Sequence, residues 1–169
     1  MGFSFHCVAI THIGNRRKNN EDNFFIGNGE VLSPAEQQSM SQSGCKSIKK
    51  SMDADNAVNR IYAVSDGMGG HRDGEIASRI VVEALTSFSR QHQAKASVRH
   101  QEKYEFIQLL QKMIMQTNVK ILNLSGDYDS FSMGATLTGV LFFAKEAVTF
   151  NIGDSSTFLY EDGTIQKLL

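Results

Sequence analysis

The pattern of apolar and polar residues divides this chain into predicted strands and helices. Short apolar runs and alternating stretches predict strands at residues 3–12, 22–26, 61–65, 135–143, 147–152, 156–160 and 164–169. Apolar residues recurring every three or four positions predict amphipathic helices at residues 74–91 and 103–124. Asp162 and Gly163 predict a tight hairpin turn between the last two strands, which form part of an antiparallel meander. This order of elements is typical of an α+β domain, in which helices cover antiparallel sheets.

The segment from residue 27 to residue 59 lacks this apolar patterning. It is rich in Ser, Gln and Lys, and it contains the only proline of the chain, Pro34. We expect a long, mobile insertion between two strands, and no helix or strand is predicted within it. A lid over a functional site is an alternative role for this insertion.

Composition narrows the class of protein. With 169 residues, of which 41% are hydrophobic, the chain is long enough for one domain with a sizeable core. Its net charge of −1 indicates no binding to nucleic acid or to a membrane surface. Cys7 and Cys45 are isolated and predict neither a metal site nor a disulfide framework. Because no signal peptide or membrane span is visible, we expect a cytoplasmic protein.

Acidic side chains stand at the ends of predicted strands in three separate segments. These segments contain Glu21 with Asp22, Asp66 followed by Gly67, and Asp154. Gathered carboxylates repel one another, so a shared divalent cation is their natural partner. Gly67 can offer its carbonyl to such a cation because no side chain blocks the approach. For Asp66 the alternative is a solvated position in a glycine-rich turn between a strand and a helix.

A cluster of divalent cations suits the hydrolysis of a phosphate ester. Two bridged ions lower the pKa of a bound water and neutralise the phosphoryl oxygens. An arginine is then the expected partner of the phosphate, because its planar fork matches two oxygens at once. Arg17 lies four residues before Glu21 and is the candidate for this role.

The order and content of these segments resemble the PPM family, the metal-dependent protein serine/threonine phosphatases, and most of all its bacterial branch. The family's Arg-x-x-Asn-Glu-Asp, Asp-Gly-Met-Gly-Gly-His and Gly-Asp-Ser blocks correspond to residues 17–22, 66–71 and 153–155. Residues 132–137 resemble the small-residue strand start that precedes the last block. The resemblance implies an α-β-β-α sandwich of antiparallel sheets flanked by helices.

Applied to the whole chain, the resemblance implies a single, partial phosphatase domain over residues 1–169, with the polar insertion at 27–59. The same resemblance implies a sandwich that is truncated at its C-terminal side. The family's last third supplies two further metal-binding aspartates, and no residue here matches them. We therefore expect these 169 residues alone to show little or no manganese-dependent hydrolysis of p-nitrophenyl phosphate.

The resemblance also implies two or three Mn²⁺ or Mg²⁺ ions. Asp66 would bridge two ions, and Gly67 would bind one of them through its carbonyl. Asp154 would serve an additional, weaker site. Glu21 and Asp22 would hold metal-bound waters or lie just behind them.

Two further positions bear on the reaction. Arg17 would bind the substrate phosphate. Many eukaryotic members carry a histidine two residues after the bridging aspartate, proposed as the general acid, and Met68 stands there in this chain. His71 is nearby, and we expect it to serve helix entry or packing.

The activity implied is hydrolysis of phosphoserine and phosphothreonine in proteins by attack of a metal-bound hydroxide, without a phosphoenzyme. The substrate is then a phosphorylated protein, and the enzyme would oppose a serine/threonine kinase. Two alternatives stay open. One is a noncatalytic relative that binds phosphoproteins or a partner, and the other is an inactive fragment of the enzyme.

Overall fold

The computed structural model describes residues 4–27, 29–42, 47–55, 60–68, 73–92, 100–125, 133–143 and 146–169. In chain order its elements are β1 (Ser4–His12), β2 (Asn23–Gly27), β3 (Glu30–Val31), α1 (Pro34–Gln42), β4 (Ser47–Asp55), β5 (Arg60–Ser65), β6 (Gly67–Met68), α2 (Gly74–Gln91), α3 (His100–Leu124), β7 (Gly134–Ala135), β8 (Leu137–Phe142), β9 (Ala147–Ile152), β10 (Phe158–Glu161) and β11 (Thr164–Lys167). No helix in these ranges has the length and apolar character needed to cross a bilayer. The predicted α+β class, with antiparallel sheets and covering helices, is confirmed.

A five-stranded antiparallel sheet of order β3-β2-β5-β8-β9 forms the centre of the molecule. Successive side chains of a strand point to opposite faces of a sheet, so the two faces enter different clusters. Phe25 and Ile61 pack with α2 and α3 in the larger core. Phe24 and Ile26 pack on the other side, where Ile48 of the β1–β4 pair adjoins them. The described layers are therefore helices, central sheet and β1–β4.

Helices α2 and α3 cover one face of the central sheet. The bounds of α2 match the predicted 74–91, and α3 begins at His100, ahead of the predicted residue 103. Leu85 is fully buried between the layers, and Phe88 meets Phe106 edge to face with ring centroids 5.1 Å apart. Burial of a Leu or Phe side chain contributes about 1.5–3 kcal/mol, so this apolar stripe explains why both helices form here.

The segment between β2 and β5 contains β3, α1 and β4, so the expectation that it holds no helix or strand is wrong for its described part, and its mobility stays a prediction. Helix α1 begins with a capping box. The Ser33 hydroxyl accepts a hydrogen bond from the Glu36 N–H at 3.2 Å, and the Glu36 carboxylate accepts one from the Ser33 N–H at 2.7 Å. Pro34 occupies the first helical position, where a missing N–H breaks no helical bond.

The ionisation of Glu36 depends on this cap. Burial alone would raise the pKa of the Glu36 carboxyl, but hydrogen bonds from Ser33 and Lys50 together lower it below its ordinary value. The Lys50 ammonium lies 3.0 Å from the Glu36 carboxylate and also donates to the Val31 carbonyl at 2.6 Å. One lysine of β4 thus ties α1 and β3 together.

Strand β4 has little apolar alternation, which is why the sequence did not predict it. It pairs antiparallel with β1 along its whole length, from Ser4 opposite Asp55 to His12 opposite Ser47. Its backbone groups are satisfied by β1, so the strand forms through a long-range pairing rather than through local propensity.

The C-terminal strands form the predicted antiparallel pairs but not one continuous meander. The predicted strand 135–143 is divided at Thr136 into β7 and β8, and β8 pairs with β9 in the central sheet. Strands β10 and β11 form a separate two-stranded sheet. Its turn has positive φ at Asp162 (47°) and at Gly163 (80°), as the predicted two-residue hairpin turn requires.

Candidate active site

Asp22 and Asp66 lie side by side because of the register between β2 and β5. Asn23 pairs with Ser65 in these antiparallel strands, so the residue before Asn23 and the residue after Ser65 are neighbours at the same end of the sheet. The two acidic motifs are 44 positions apart in the chain by residue number (66 − 22). The sheet register is what brings them together.

The carboxyl groups of this pair interact directly. Burial, the negative charge of Asp66 and a hydrogen bond with the Asp66 side chain raise the pKa of Asp22 to about 6, while the Arg17 charge opposes the rise. A hydrogen bond between two carboxyl groups requires a proton on one of them, and a dication satisfies the same pair without that proton. Oxygen donors with this charge fit Mn²⁺ or Mg²⁺.

The loop that presents Asp22 is fixed by buried amide side chains. Asn20 is 4% exposed and donates a hydrogen bond to the Thr11 hydroxyl of β1 at 2.8 Å. Gln37 of α1 donates to the main-chain carbonyl of Asp22 at 3.3 Å. Helix α1, which the sequence did not predict, is therefore part of the support for the acidic loop.

Glu21 holds Arg17 at the edge of the site. The Arg17 Nη1 atom lies 2.6 Å from a Glu21 carboxylate oxygen, and the arginine side chain is 66% exposed whereas that of Glu21 is 14% exposed. The Glu21 carboxylate also lies against Gly74, in the first turn of α2, where unpaired N–H groups favour negative charge. Arg17 is thus oriented by Glu21 and open to solvent, as a phosphate-binding arginine needs to be.

Gly67 is required by close packing of three backbone segments. A Cβ atom at this position would lie 2.1 Å from the carbonyl oxygen of Gly74 and 2.4 Å from that of Glu21. The Gly67 N–H donates to the same Glu21 carbonyl at 3.2 Å. The structure therefore supplies a packing reason for this glycine, and its carbonyl as a metal ligand stays a prediction.

Thr136 is the residue at this site that the sequence analysis missed. It is 1% exposed, its N–H donates to the Asp66 carbonyl at 2.8 Å, and its hydroxyl accepts from the Asp66 N–H at 3.0 Å. The Thr136 carbonyl accepts from the Ser65 hydroxyl at 2.7 Å. A polar residue between the apolar Ala135 and Leu137, where β7 ends and β8 begins, was the available signal.

The Gly-Asp-Ser turn after β9 reaches the site through Thr136. The Ser155 and Thr136 hydroxyls lie 2.7 Å apart, and Gly153, with φ of 99°, lies so close that a Cβ there would be 2.8 Å from the Thr136 methyl group. Asp154 itself is exposed. Among the residues that the structure describes, no three His, Cys, Asp or Glu side chains form a group that could hold one metal ion. Asp154 as a ligand stays a prediction.

Met68 and His71 are the two remaining positions that the sequence brought to attention, and the structure describes only Met68. Met68 is 53% exposed. His71 lies outside the described residues, as do the neighbouring Gly69 and Gly70.

A comparison with known families agrees with this geometry. The profile described as "Protein phosphatase 2C" matches residues 48–169.

The chain belongs to the protein phosphatase 2C family.

This confirms the resemblance to metal-dependent protein serine/threonine phosphatases that the sequence motifs indicated. The matched range contains Asp66, Gly67 and Asp154.

Curated relatives of the chain are bacterial serine/threonine phosphatases. It is similar to the serine/threonine phosphatase stp of Listeria welshimeri, with 32% identity over 109 residues that cover 64% of this chain and 41% of the relative. It is also similar to the serine/threonine protein phosphatase PstP of Mycobacterium tuberculosis, with 30% identity over 110 residues that cover 64% of this chain and 20% of the relative. The match therefore spans less than half the length of these relatives.

Solved structures share the fold at low identity. The crystal structure of the Mycobacterium tuberculosis phosphatase PstP/Ppp superposes with a TM-score of 0.63 at 23% identity, covering 98% of this chain and 54% of that one. The PstP catalytic domain in complex with two manganese ions gives a TM-score of 0.64 at 22% identity, covering 100% of this chain and 56% of that one. Nearly all of this chain thus follows the fold of these phosphatases.

Proposed function

We propose that this protein is a metal-dependent phosphatase that hydrolyses phosphoserine and phosphothreonine in other proteins. The observation that supports the proposal most directly is the register of β2 against β5, which places Asp22 and Asp66 side by side at one end of the sheet. Burial and the charge of Asp66 raise the pKa of Asp22 to about 6, in agreement with this geometry. Two acids forced together at a strand end fit a divalent cation better than they fit a structural role, because their mutual repulsion opposes folding without one. The family assignment indicates that a cation held by these two acids would serve the hydrolysis of a phosphate ester.

The proposed cofactors are two or three Mn²⁺ or Mg²⁺ ions. Asp66 and the Gly67 carbonyl are the proposed direct ligands, with Asp154 at an additional site and with Glu21 and Asp22 holding coordinated waters. When bound, such cations activate water and neutralise charge on phosphoryl oxygens. The two-manganese complex of the PstP catalytic domain supports this choice of metal.

The chain's own residues then have distinct tasks. Arg17 binds the oxygens of the substrate phosphate, and Glu21 keeps the guanidinium in place through their 2.6 Å ion pair. Asp66 would hold the cations directly and Asp22 would hold their coordinated waters, and Thr136 fixes the backbone of Asp66. The proposed substrate is a phosphorylated cytoplasmic protein, and the reaction opposes that of a serine/threonine kinase.

Replacement of Asp66 by asparagine tests the metal site. Asp66→Asn keeps the side-chain size and removes the charge, so we expect Mn²⁺ affinity, measured by titration calorimetry, to fall by about tenfold or more. Asp162→Asn is the matched control, since Asp162 is an exposed acid in the β10–β11 turn, far along the chain from the motif. Unchanged Mn²⁺ affinity in Asp66→Asn would contradict the proposed site.

Hydrolysis and binding of a phosphopeptide separate the enzyme from the noncatalytic alternative. Phosphate release that requires Mn²⁺ and disappears in Asp66→Asn supports a phosphatase. Phosphopeptide binding through Arg17 without phosphate release supports a binding module instead. This measurement is made both on the 169 residues and on a chain extended with the C-terminal part of a relative.

A further inference from the structure

Helices α2 and α3 enclose a groove of about 390 Å³ that has no part in the proposed active site. Its floor is apolar. Phe88 is 4% exposed and packs against Phe106, whereas Leu109 is 40% exposed and offers apolar surface to solvent. Met113 is half-buried between them along α3. The groove therefore combines a buried apolar floor with an exposed apolar wall.

The charges that line this groove are basic. Lys112 and Lys120 of α3 line it, both are exposed, and neither forms an ion pair with a described residue. His92, at the end of α2, is the other titratable residue in the described lining. Glu83 directly precedes the groove residue Ala84, and Glu105 lies about one turn before Leu109, but neither acid lines the groove. The chain as a whole carries a net charge of −1, so this positive surface is a local feature.

The spacing of the two lysines indicates the shape of an occupant. They are eight residues apart on α3 (120 − 112), which corresponds to about 12 Å along the helix axis. A second helix lying along the groove presents residues on one face at three- and four-residue intervals, so two of its acids two turns apart lie over the two lysines. Apolar residues of this helix between the two acids then meet Met113, and one a turn beyond the acid over Lys112 meets Leu109.

We propose that the α2–α3 groove is a docking surface for an amphipathic helix of a partner protein, with apolar residues on the face that enters the groove and acidic residues two turns apart at its edge. Charge complementarity selects this occupant, because no acidic side chain of the described residues lines the groove, whereas Lys112 and Lys120 do and form no ion pair with a described residue. The polar side chains Ser87, Gln91 and Gln116 complete the rim and can accept or donate hydrogen bonds.

A second copy of this chain does not supply such a helix within the described residues. The exposed large hydrophobic residues of α3 outside the groove are Tyr104, Met115, Val119, Leu122 and Leu124. The acids of α3, Glu102 and Glu105, are only three residues apart, so this face cannot place two carboxylates over both lysines of another molecule. Helix α2 does carry two acids eight residues apart, Glu75 and Glu83, but its apolar face is buried in the core of its own molecule and cannot enter a groove. Helix α1 is short and contains a single acid, Glu36, which is already bound to Ser33 and Lys50.

A designed peptide provides the test. The probe is a fluorescent peptide of about 18 residues, five helical turns, with Leu on one face and Glu at two flanking positions two turns apart. We expect micromolar-range binding in fluorescence anisotropy, weakened by salt because exposed charges are screened. A peptide with Lys in place of Glu is expected not to bind. Chemical-shift changes in the amide spectrum of the protein are expected at Leu109, Lys112 and Gln116.

Matched variants locate the binding surface. Lys112→Glu/Lys120→Glu is expected to raise the dissociation constant about tenfold or more, since each reversal replaces an attraction with a repulsion. Lys49→Glu/Lys167→Glu changes net charge equally at exposed lysines outside the groove and is expected to bind normally. Leu109→Ser is expected to abolish binding.

For Leu109→Ser the control is Leu122→Ser, a leucine on the same helix that is 45% exposed and does not line the groove. Loss of binding in Leu109→Ser with normal binding in Leu122→Ser supports the proposal, provided both variants keep the wild-type helical circular-dichroism signal. Three results overturn it: no saturable binding of the acidic peptide, equal losses in the groove and control variants, or a groove that proves to be occupied by a second copy in sedimentation experiments on the wild-type chain.

Discussion

The hydroxyl of Thr136 is predicted to position Asp66 for metal binding. Thr136→Val removes this hydroxyl and keeps the shape of the side chain, so no cavity is created. The change deletes the acceptor of the Asp66 N–H, 3.0 Å away, and the partner of the Ser155 hydroxyl, 2.7 Å away. The main-chain bond from the Thr136 N–H to the Asp66 carbonyl stays in place. The variant therefore tests one side-chain contact at the strand end.

The expected loss of stability follows from these two bonds. A hydrogen bond contributes about 0.5–1.5 kcal/mol net, and a buried donor left without a partner costs about 1–3 kcal/mol. The Ser155 hydroxyl can rotate toward solvent because the residue is only half-buried. The Asp66 N–H has less freedom, so we expect Thr136→Val to lower the free energy of unfolding by about 1–3 kcal/mol in urea.

Thr138→Val, two residues further along in β8, is the matched control. Thr138 is 3% exposed, and its hydroxyl also makes two contacts, with the Thr157 hydroxyl at 2.8 Å and the Phe150 carbonyl at 3.4 Å. We expect a similar loss of stability in this control. Only Thr136→Val should weaken Mn²⁺ binding, by about 10–100-fold, because residues that orient metal ligands contribute that much to affinity. Thr136→Ser, which keeps the hydroxyl, should restore it.

Calorimetric Mn²⁺ titration of the folded variants decides between positioning and general stability. If Thr136→Val binds Mn²⁺ as the wild type does, the hydroxyl does not position Asp66 and the reasoning fails. If Thr138→Val loses as much Mn²⁺ affinity as Thr136→Val, the effect is a consequence of lower stability and has no connection with the Asp66 contact.

Three further predictions address the glycine contact, the helix cap and the arginine. Gly67→Ala should lower the free energy of unfolding by about 3 kcal/mol or more, because the added Cβ would lie 2.1 Å from a backbone oxygen. The control Gly134→Ala, whose Cβ meets only a methionine methyl at 3.5 Å, should change it by less than about 1 kcal/mol. Equal effects of the two variants in urea unfolding would refute this prediction. Glu36 has a lowered pKa, so the stability that it contributes is present at neutral pH and is lost as pH falls through that pKa. Glu36→Gln should therefore be less stable than the wild type at about pH 7 and should lose less stability between there and about pH 3. Parallel curves of unfolding free energy against pH for the two proteins would argue against the cap. Arg17→Ala should weaken phosphopeptide binding by about 1.5–3 kcal/mol and leave Mn²⁺ affinity unchanged. Arg90→Ala, at another exposed arginine, is the control. If Arg17→Ala loses Mn²⁺ affinity instead, the arginine does not have the proposed phosphate-binding role.

Local patterns in the sequence determined much of the secondary structure. The bounds of α2 and β9 follow from periodicity alone, because an apolar stripe at helical spacing or an alternating run is stable in only one kind of element. The Asp162–Gly163 turn was equally predictable, since few residue pairs accept positive φ at both positions. The order of the acidic motifs also identified the family before any contact was known.

Local signals were incomplete between β2 and β5. The capping box of α1 is visible as Ser33 and Glu36 flanking Pro34, yet the surrounding polar composition concealed it. Strand β4 is different in kind, because nothing in its own residues predicts a strand and β1 supplies its hydrogen-bond partners. The sequence could have revealed α1 but not β4.

The assembly of the site was decided by tertiary structure. The neighbouring positions of Asp22 and Asp66 depend on the register of β2 against β5, which is a property of two strands and not of either alone. Thr136 acquires its role only when the β7–β8 junction lies beside the end of β5. The α2–α3 groove likewise exists only between two packed helices. A periodic pattern reports which face of an element is buried, whereas the identity of its neighbours depends on contacts between residues far apart in the chain.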